Sequence, residues 1–289
     1  MSTSKPLTMQ RVIDQVVALP AFPVVIQSML NRLGDPNANV RGLVESIESQ
    51  SDVVQKLMAV ANRAVRARGG NEVKDVYVAA SLLGLRRVRE VVALVSVARY
   101  SLRMSTQLLF EAHWASSVSC AVCSTEIAEA SGKEVSTDLC LIAGLLHNIG
   151  QLWLHAFEFS SYEQARRYAS ANRVTLEAAQ QQVFGVDQRD VAGWLALYWG
   201  LGGPVVRAVS MVPVAHGGHE DLVGDAVHIG QVLGNALDLA GSGSSRVHAI
   251  SRARCANLSV DWSQNSHRLF GRMEARFKDA MALTASSST

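Results

Sequence analysis

The residues best placed to do chemistry lie in one stretch, Asp138–Leu154, DLCLIAGLLHNIGQLWL. Leu139, Ile142, Ala143 and Leu146 stand at i, i+3, i+4 and i+7, the spacing of one buried helix face. His147 follows, about 100° round from Leu146 at helical pitch, so it sits at the margin of that face, where a polar group can line a cleft. A histidine followed by an acidic residue here is a strong metal-site signal. This chain carries Asn148 in the second place, and the chemistry turns on that exchange.

Three other groups invite a functional reading. Cys120 and Cys123 form a C-x-x-C. A redox pair belongs at a strand-to-helix junction and a zinc site needs a second pair nearby. Neither is present, so both are expected to be buried thiols inside a helix. Arg63, Arg66 and Arg68, with Arg86, Arg87 and Arg89, can form a basic face for a phosphate, a cyclic dinucleotide or an acidic partner. Solvated helix surface is the default for such residues, and no helix-turn-helix or Gly-rich phosphate loop supports direct nucleic-acid binding. In Ser266–Leu283, Phe270, Met273, Phe277 and Met281 make an apolar stripe beside Arg268, Arg272 and Arg276 at i, i+4 and i+8. Such a helix packs on its own domain, grips a partner or lies on an anionic membrane.

The elements that must position these groups read as helices throughout. Thr8–Leu19 is amphipathic and stops at the LPAFP corner. Val24–Leu33, Val40–Ser49, a helix capped by Ser51, Val76–Leu83 and Arg86–Leu102 follow. Thr106–Ala130 is one long helix carrying His113 and Trp114, and Asp138–Phe157 is the central stretch. Ser161–Ala171, Thr175–Phe184, a helix opening at Val186-Asp187, Pro204–Met211 and Leu222–Ala240 complete the pattern. No strand-like alternation is bounded by turn signals. The expected fold class is all-α, an irregular multi-helix bundle.

Composition narrows the class further. Apolar residues make up 48% of the 289 and charged residues 18%, which suits an ordered globular chain. A net charge of +2 is too weak to imply a nucleic-acid or membrane partner. The longest apolar runs, such as Val91–Ala98, are eight residues, against about 20 for a membrane span. MSTSKPLTMQ has no apolar leader core, so the expected location is cytoplasmic, with reduced cysteines.

Taken in order, LPAFPVVIQSMLNRLGDPNANVRGLVESIESQSDVVQKLMAVANRA, AASLLGLRRVREVVAL, the His113-Trp114 pair, GLLHNIGQLWL and FGVDQRDVAGWLALYWGL resemble the HDOD family, the HD-related output domain of bacteria. The resemblance covers roughly Leu19 to Val212. It implies an N-terminal helical lobe, about 8–103, packed on a degenerate HD-like helical lobe, about 106–215. Residues 221–283 then form a C-terminal helical extension and 284–289 a disordered tail. It also implies regulation through other signalling proteins, often near cyclic-dinucleotide pathways, rather than catalysis.

HD phosphohydrolases hold one or two divalent metals with a His, a His-Asp pair and a distal Asp. The carboxylates supply charge and bridge the ions, and the metal makes hydroxide from water. By position the first His corresponds to His113, the pair to His147-Asn148, the distal Asp to Gln231, and a further His of the FG-x-D-H pattern to Gln188. Two imidazoles remain and the carboxylates have become amides. A two-histidine zinc site would need His216 or His219 of the HGGH loop as a third ligand, an irregular set for zinc. The expectation is a non-enzyme with no metal and no cofactor. The rivals are a binder of a cyclic dinucleotide at the degenerate pocket and a metal-dependent phosphohydrolase.

Overall fold

Helix-capping residues punctuate the chain. The structure, a computed structural model, describes residues 6–33, 39–210, 221–241, 250–262 and 266–285. The helices are α1 (Met9–Val17), α2 (Val24–Asn31), α3 (Val40–Ile47), α4 (Ser51–Arg66), α5 (Val76–Leu83), α6 (Leu85–Met104), α7 (Gln107–Ala130) and α8 (Thr137–Leu146). They continue as α9 (Ile149–Phe157), α10 (Phe159–Asn172), α11 (Leu176–Phe184), α12 (Gln188–Tyr198), α13 (Gly203–Ser210), α14 (Leu222–Ala236), α15 (Arg252–Leu258) and α16 (Ser266–Thr284). Among the described residues there is no strand. Thr8, Asn39, Asp75, Thr106, Ser136 and Thr175 each accept a backbone N–H of the first turn that follows. Asp187 and Asp190 close a reciprocal box at the start of α12. Ser51, expected as a cap, is instead the first helical residue of α4, behind Gln50.

The interior is built round α7. Every residue from Ser117 to Ala128 is buried, on all sides of the helix, which is the signature of a core helix rather than a surface one. Helices α8, α14 and α16 pack against it. Small residues allow the approach. A Cβ on Gly144 of α8 would collide with the Ala121 backbone, and one on Gly230 or Gly234 of α14 with Ser124 or Ser119. Cys120 and Cys123 lie inside this region and are free thiols. Burial raises both, Cys120 to about 12, so neither is a reactive thiolate.

The N-terminal helices are tied to the far end of the chain. Phe22 stacks on Trp199 at 4.4 Å and meets Tyr100 edge-on at 5.2 Å. Gln27 Nε2 donates to the Trp199 carbonyl at 2.6 Å and Leu7 N to that of Phe184 at 2.9 Å. The segment expected as a C-terminal extension also enters the core: Ala226, Val227 and Ile229 of α14 are fully buried. Thr284 closes α16, and residues 286–289 of the expected tail lie outside the described residues. The run Thr137–Phe157 is long and apolar enough to cross a membrane, but 78% of it is buried inside the fold, as befits a core segment.

One expectation changes here. The stretch Asp138–Phe157 is not one helix but two, α8 and α9, interrupted at His147-Asn148. His147 Nδ1 donates to the Gly144 carbonyl at 2.7 Å. In an unbroken helix that carbonyl would accept from the Asn148 N–H.

Two glycine substitutions test this packing with opposite signs. A methyl at Gly150 overlaps the Gln188 carbonyl and the Ala192 N–H, both backbone, so Gly150→Ala is expected to cost about 2 kcal/mol or more and to lower Tm by about 5 °C. Gly271, inside α16, faces open space, and Gly271→Ala is expected to add about 0.8 kcal/mol. Urea midpoints of the two variants measure both.

Candidate functional site

Three elements bring the sequence candidates together. Helix α7 supplies His113, the α8–α9 break supplies His147 and Asn148, and α9 supplies His155 two turns on. Asn148 Nδ2 donates to His113 Nδ1 at 3.3 Å. With that nitrogen an acceptor, His113 carries its proton on Nε2 and donates to His155 Nδ1, 3.2 Å away. The His155 ring stacks on Tyr162 at 4.4 Å and, from nearer the surface, on Phe159 at 5.7 Å. His147 stands apart from this chain, its Nδ1 spent on Gly144.

His155 is the member that sequence reading missed. Its signal was there: it lies seven residues after Asn148, two turns along one helix face.

The electrostatics are those of a neutral site. Burial, and then the neighbouring His155, Arg166 and His147, push His113 down to about 4. Burial alone drives His147 down to about 4, against the pull of the Gly144 carbonyl. Burial also lowers His155, with Glu163 opposing and Arg166 assisting. Among the described residues no carboxylate is hydrogen-bonded to the ring of His113 or His147. The space beside His113 and Asn148, walled by Ser101, Phe110, Trp114 and Leu152, amounts to about 10 Å³, room for one water at most.

Two sequence candidates are not brought into this pocket. Gly230 packs on Ser124 and Gly234 on Ser119, an antiparallel register that sets Gln231 level with the middle of α7. It is about ten residues, roughly 15 Å of helix axis, from His113. Gln231 therefore cannot serve as the distal ligand. Gln188 begins α12, with its carbonyl against Gly150 and its N–H donating to Gln180 Oε1 at 3.0 Å. Its backbone N–H thus bonds to α11, and its side-chain Oε1 is buried without a hydrogen bond to the histidines. His216 and His219 lie outside the described residues.

A family model of the HDOD domain matches residues 19–213. The chain belongs to the HDOD family. Solved structures share its fold at low identity. An HDOD domain protein of unknown function from Geobacter sulfurreducens is 16% identical with a TM-score of 0.76, over 96% of each chain. A protein from Shewanella amazonensis, named as a candidate phosphohydrolase, is 17% identical with a TM-score of 0.70, over 95% of this chain and 98% of its own. A candidate signal transduction protein from Marinobacter aquaeolei is 19% identical with a TM-score of 0.69, over all of this chain and 68% of its own. No curated protein matches the sequence.

The donors of this HDOD pocket do not fit the divalent ions of an HD centre. Both nitrogens of His113 are engaged, and His147 is turned to its own helix. The residue between them is a neutral amide that brings no charge and does not bridge ions. Among the described residues no cluster of three or more His, Cys, Asp or Glu side chains could hold a metal.

The other two constellations come out differently from the sequence reading. The basic face is divided and largely neutralised. Arg86 pairs with Glu129, Arg87 with Glu90 at 2.7 Å, and Arg89 with Asp138 at 2.8 Å. Arg63, Arg66 and Arg68 are exposed at the end of α4 and beyond it, Arg86 is exposed but paired, and Arg87 and Arg89 are half-buried. Carboxylates from α7 and α8, distant in sequence, answer Arg86 and Arg89, and Glu90 of α6 itself answers Arg87. The stripe of α16 is turned inward: Met273 is fully buried, and Phe270, Phe277 and Met281 pack on the protein's own core.

The buried neutral histidines set a pH dependence. Unfolded, each titrates near 6.5; folded, near 4. Between those values the unfolded chain binds more protons, so stability falls as pH drops through the window and levels off below it. A depression of that size corresponds to up to about 3 kcal/mol per histidine. Urea midpoints from pH 7 to pH 4 are expected to decline mostly below 6.5, with His113 and His147 ring resonances still those of neutral imidazole at pH 5.5.

Proposed function

We propose that this HDOD protein is a non-catalytic signalling regulator that works in the cytoplasm through contact with other signalling proteins. One observation carries the reading. The place where an HD enzyme holds its ions is filled here by a hydrogen-bonded chain of neutral side chains, Asn148–His113–His155, with about 10 Å³ of space beside it.

The rival readings need what this pocket lacks. Hydrolysis by the HD route needs carboxylates to neutralise and bridge metal ions and an open coordination position for water. A cyclic dinucleotide needs a cleft of several hundred Å³. The arginines that would meet its phosphates already face carboxylates.

The test is metal analysis of protein purified without chelator, paired with turnover on phosphodiesters and cyclic dinucleotides. The expected result is no stoichiometric metal and no turnover. Metal at one equivalent or more, with hydrolysis abolished in His147→Ala, overturns the proposal. Restoring the missing acid sharpens the question. Asn148→Asp removes the donor to His113 Nδ1 and buries a carboxylate in a dry site, so it is expected to raise the His113 pKa, to cost about 1–3 kcal/mol, and to gain no activity. Hydrolysis appearing in that variant would mean that the site is one residue from function.

A further inference from the structure

Helix α16 occupies a seat that is more charged and roomier than its own side chains require. On the core side the seat carries three glutamates, Glu90 of α6 and Glu126 and Glu129 of α7. Glu126 is 1% exposed, yet it is charged and paired. Arg272 Nε meets it at 2.7 Å and Arg276 Nη1 at 2.8 Å, and both of these partners come from α16. Arg276 also reaches Glu129 at 3.0 Å and Glu90 at 3.4 Å. Arg272 and Arg276 are one turn apart, so the seat reads a pair of cations at i and i+4.

Beside these ion pairs lies an open cleft of about 410 Å³, lined by them and by Leu83, Arg86 and Arg87. At the other end of the helix a second cleft, of about 290 Å³, opens among Phe110, Trp114 and Met281, next to the bond that Trp114 Nε1 donates to Thr284 Oγ1 at 2.8 Å. One helix docked on one face thus leaves two openings along it. Leu269, Met273, Ala280 and Leu283 are its buried apolar residues, and Phe270, Phe277 and Met281 pack half-buried beside them.

We propose that this face of α6 and α7 is a docking groove for a basic amphipathic helix of a partner protein, and that α16 occupies it in cis as a competitor. The proposal rests on the regulatory reading above and gives it a surface. The buried Glu126 supplies the selectivity. An occupant without a cation at that position would strand a desolvated carboxylate, a cost that excludes neutral and acidic helices. The cleft beside Phe110, Trp114 and Met281 accepts an apolar side chain bulkier than those α16 brings, so a partner that fills it gains contact the cis helix does not make.

Two measurements on the full-length protein test this. Native-state hydrogen exchange of the unaltered chain is expected to show α16 opening on its own, its amides exchanging at least about 100-fold faster than those of the α7 core. Equal protection of α16 and α7 overturns the proposal. The second measurement titrates a fluorescent peptide of residues 266–285 against the native chain and against Arg272→Glu/Arg276→Glu. The weakened chain is expected to bind the peptide at least about 10-fold more tightly, since its own helix competes less well. A peptide bearing the same two exchanges is expected not to bind. Absence of binding to a weakened chain that keeps its native circular dichroism overturns the groove. Dimerisation of the weakened chain without peptide overturns the partner in favour of helix exchange between copies. Neither readout involves metal or hydrolysis. Turnover would sink the regulatory reading and leave the groove to be judged on its own, and failure of both measurements would leave the regulatory reading intact.

Discussion

The whole molecule depends on how closely other helices can approach α7. The half of it toward its C-terminal end, Ser117–Ala128, is made mostly of small and medium side chains, and its neighbours present glycines where they cross it: Gly144 from α8, Gly230 and Gly234 from α14. Backbones at that separation gain dense van der Waals contact, but they leave no space for a larger residue on either side. The position of α8 follows, and with it the place where α8 ends. Because His147 and Asn148 sit at that end, the geometry of the pocket is set by packing two turns away from it.

Burial of a helix on all sides creates a second constraint, which is what to do with its polar groups. Two of its hydroxyls are handled locally. Ser124 and Thr125 donate back to the carbonyls of Cys120 and Ala121, one turn earlier, so they carry no cost of unmade hydrogen bonds. Glu126 cannot be satisfied this way. A desolvated carboxylate needs cations, and the core around it has none to give except through α16. The same density that makes α7 a stable centre therefore forces a charged latch at its edge. The α6 arginines Arg86 and Arg89 likewise do not form an open basic surface, since the carboxylates that answer them, Glu129 and Asp138, lie on the helices α7 and α8 packed beside them.

How much of this could be read beforehand depends on whether the cause is local. The Thr106 cap and the uninterrupted small-residue pattern of α7 are local, and the helix is found where they place it. The caps at Thr8, Asn39 and Asp187 are equally local. The break at His147-Asn148 is not. The apolar spacing runs straight through it, from Leu146 to Ile149 and Trp153, so periodicity reads one helix. What divides it is a histidine bonding its own helix end and an amide reaching His113, 35 residues earlier. Gln231 was misplaced for the same kind of reason, because its level on α7 follows from Gly230 and Gly234 and not from its neighbours in sequence. The pairing of Arg86, Arg87 and Arg89 needed knowledge of which acidic residues would stand opposite.

The exchange of aspartate for asparagine in the His147 pair changes more than one ligand. An aspartate beside His113 would hold a proton on the imidazole or demand a cation, and a charged pair of that kind keeps water and space around it. The asparagine amide donates to the neutral ring. With that bond made, the His113 proton turns to His155, the rings settle to low pKa values, and Phe110, Trp114 and Leu152 close in on what remains. Loss of charge and loss of volume are thus one event. A pocket filled by a neutral hydrogen-bond chain is part of the core, and on the regulatory reading proposed above it leaves the surfaces of the protein, foremost the seat of α16, as the places where a signal can act.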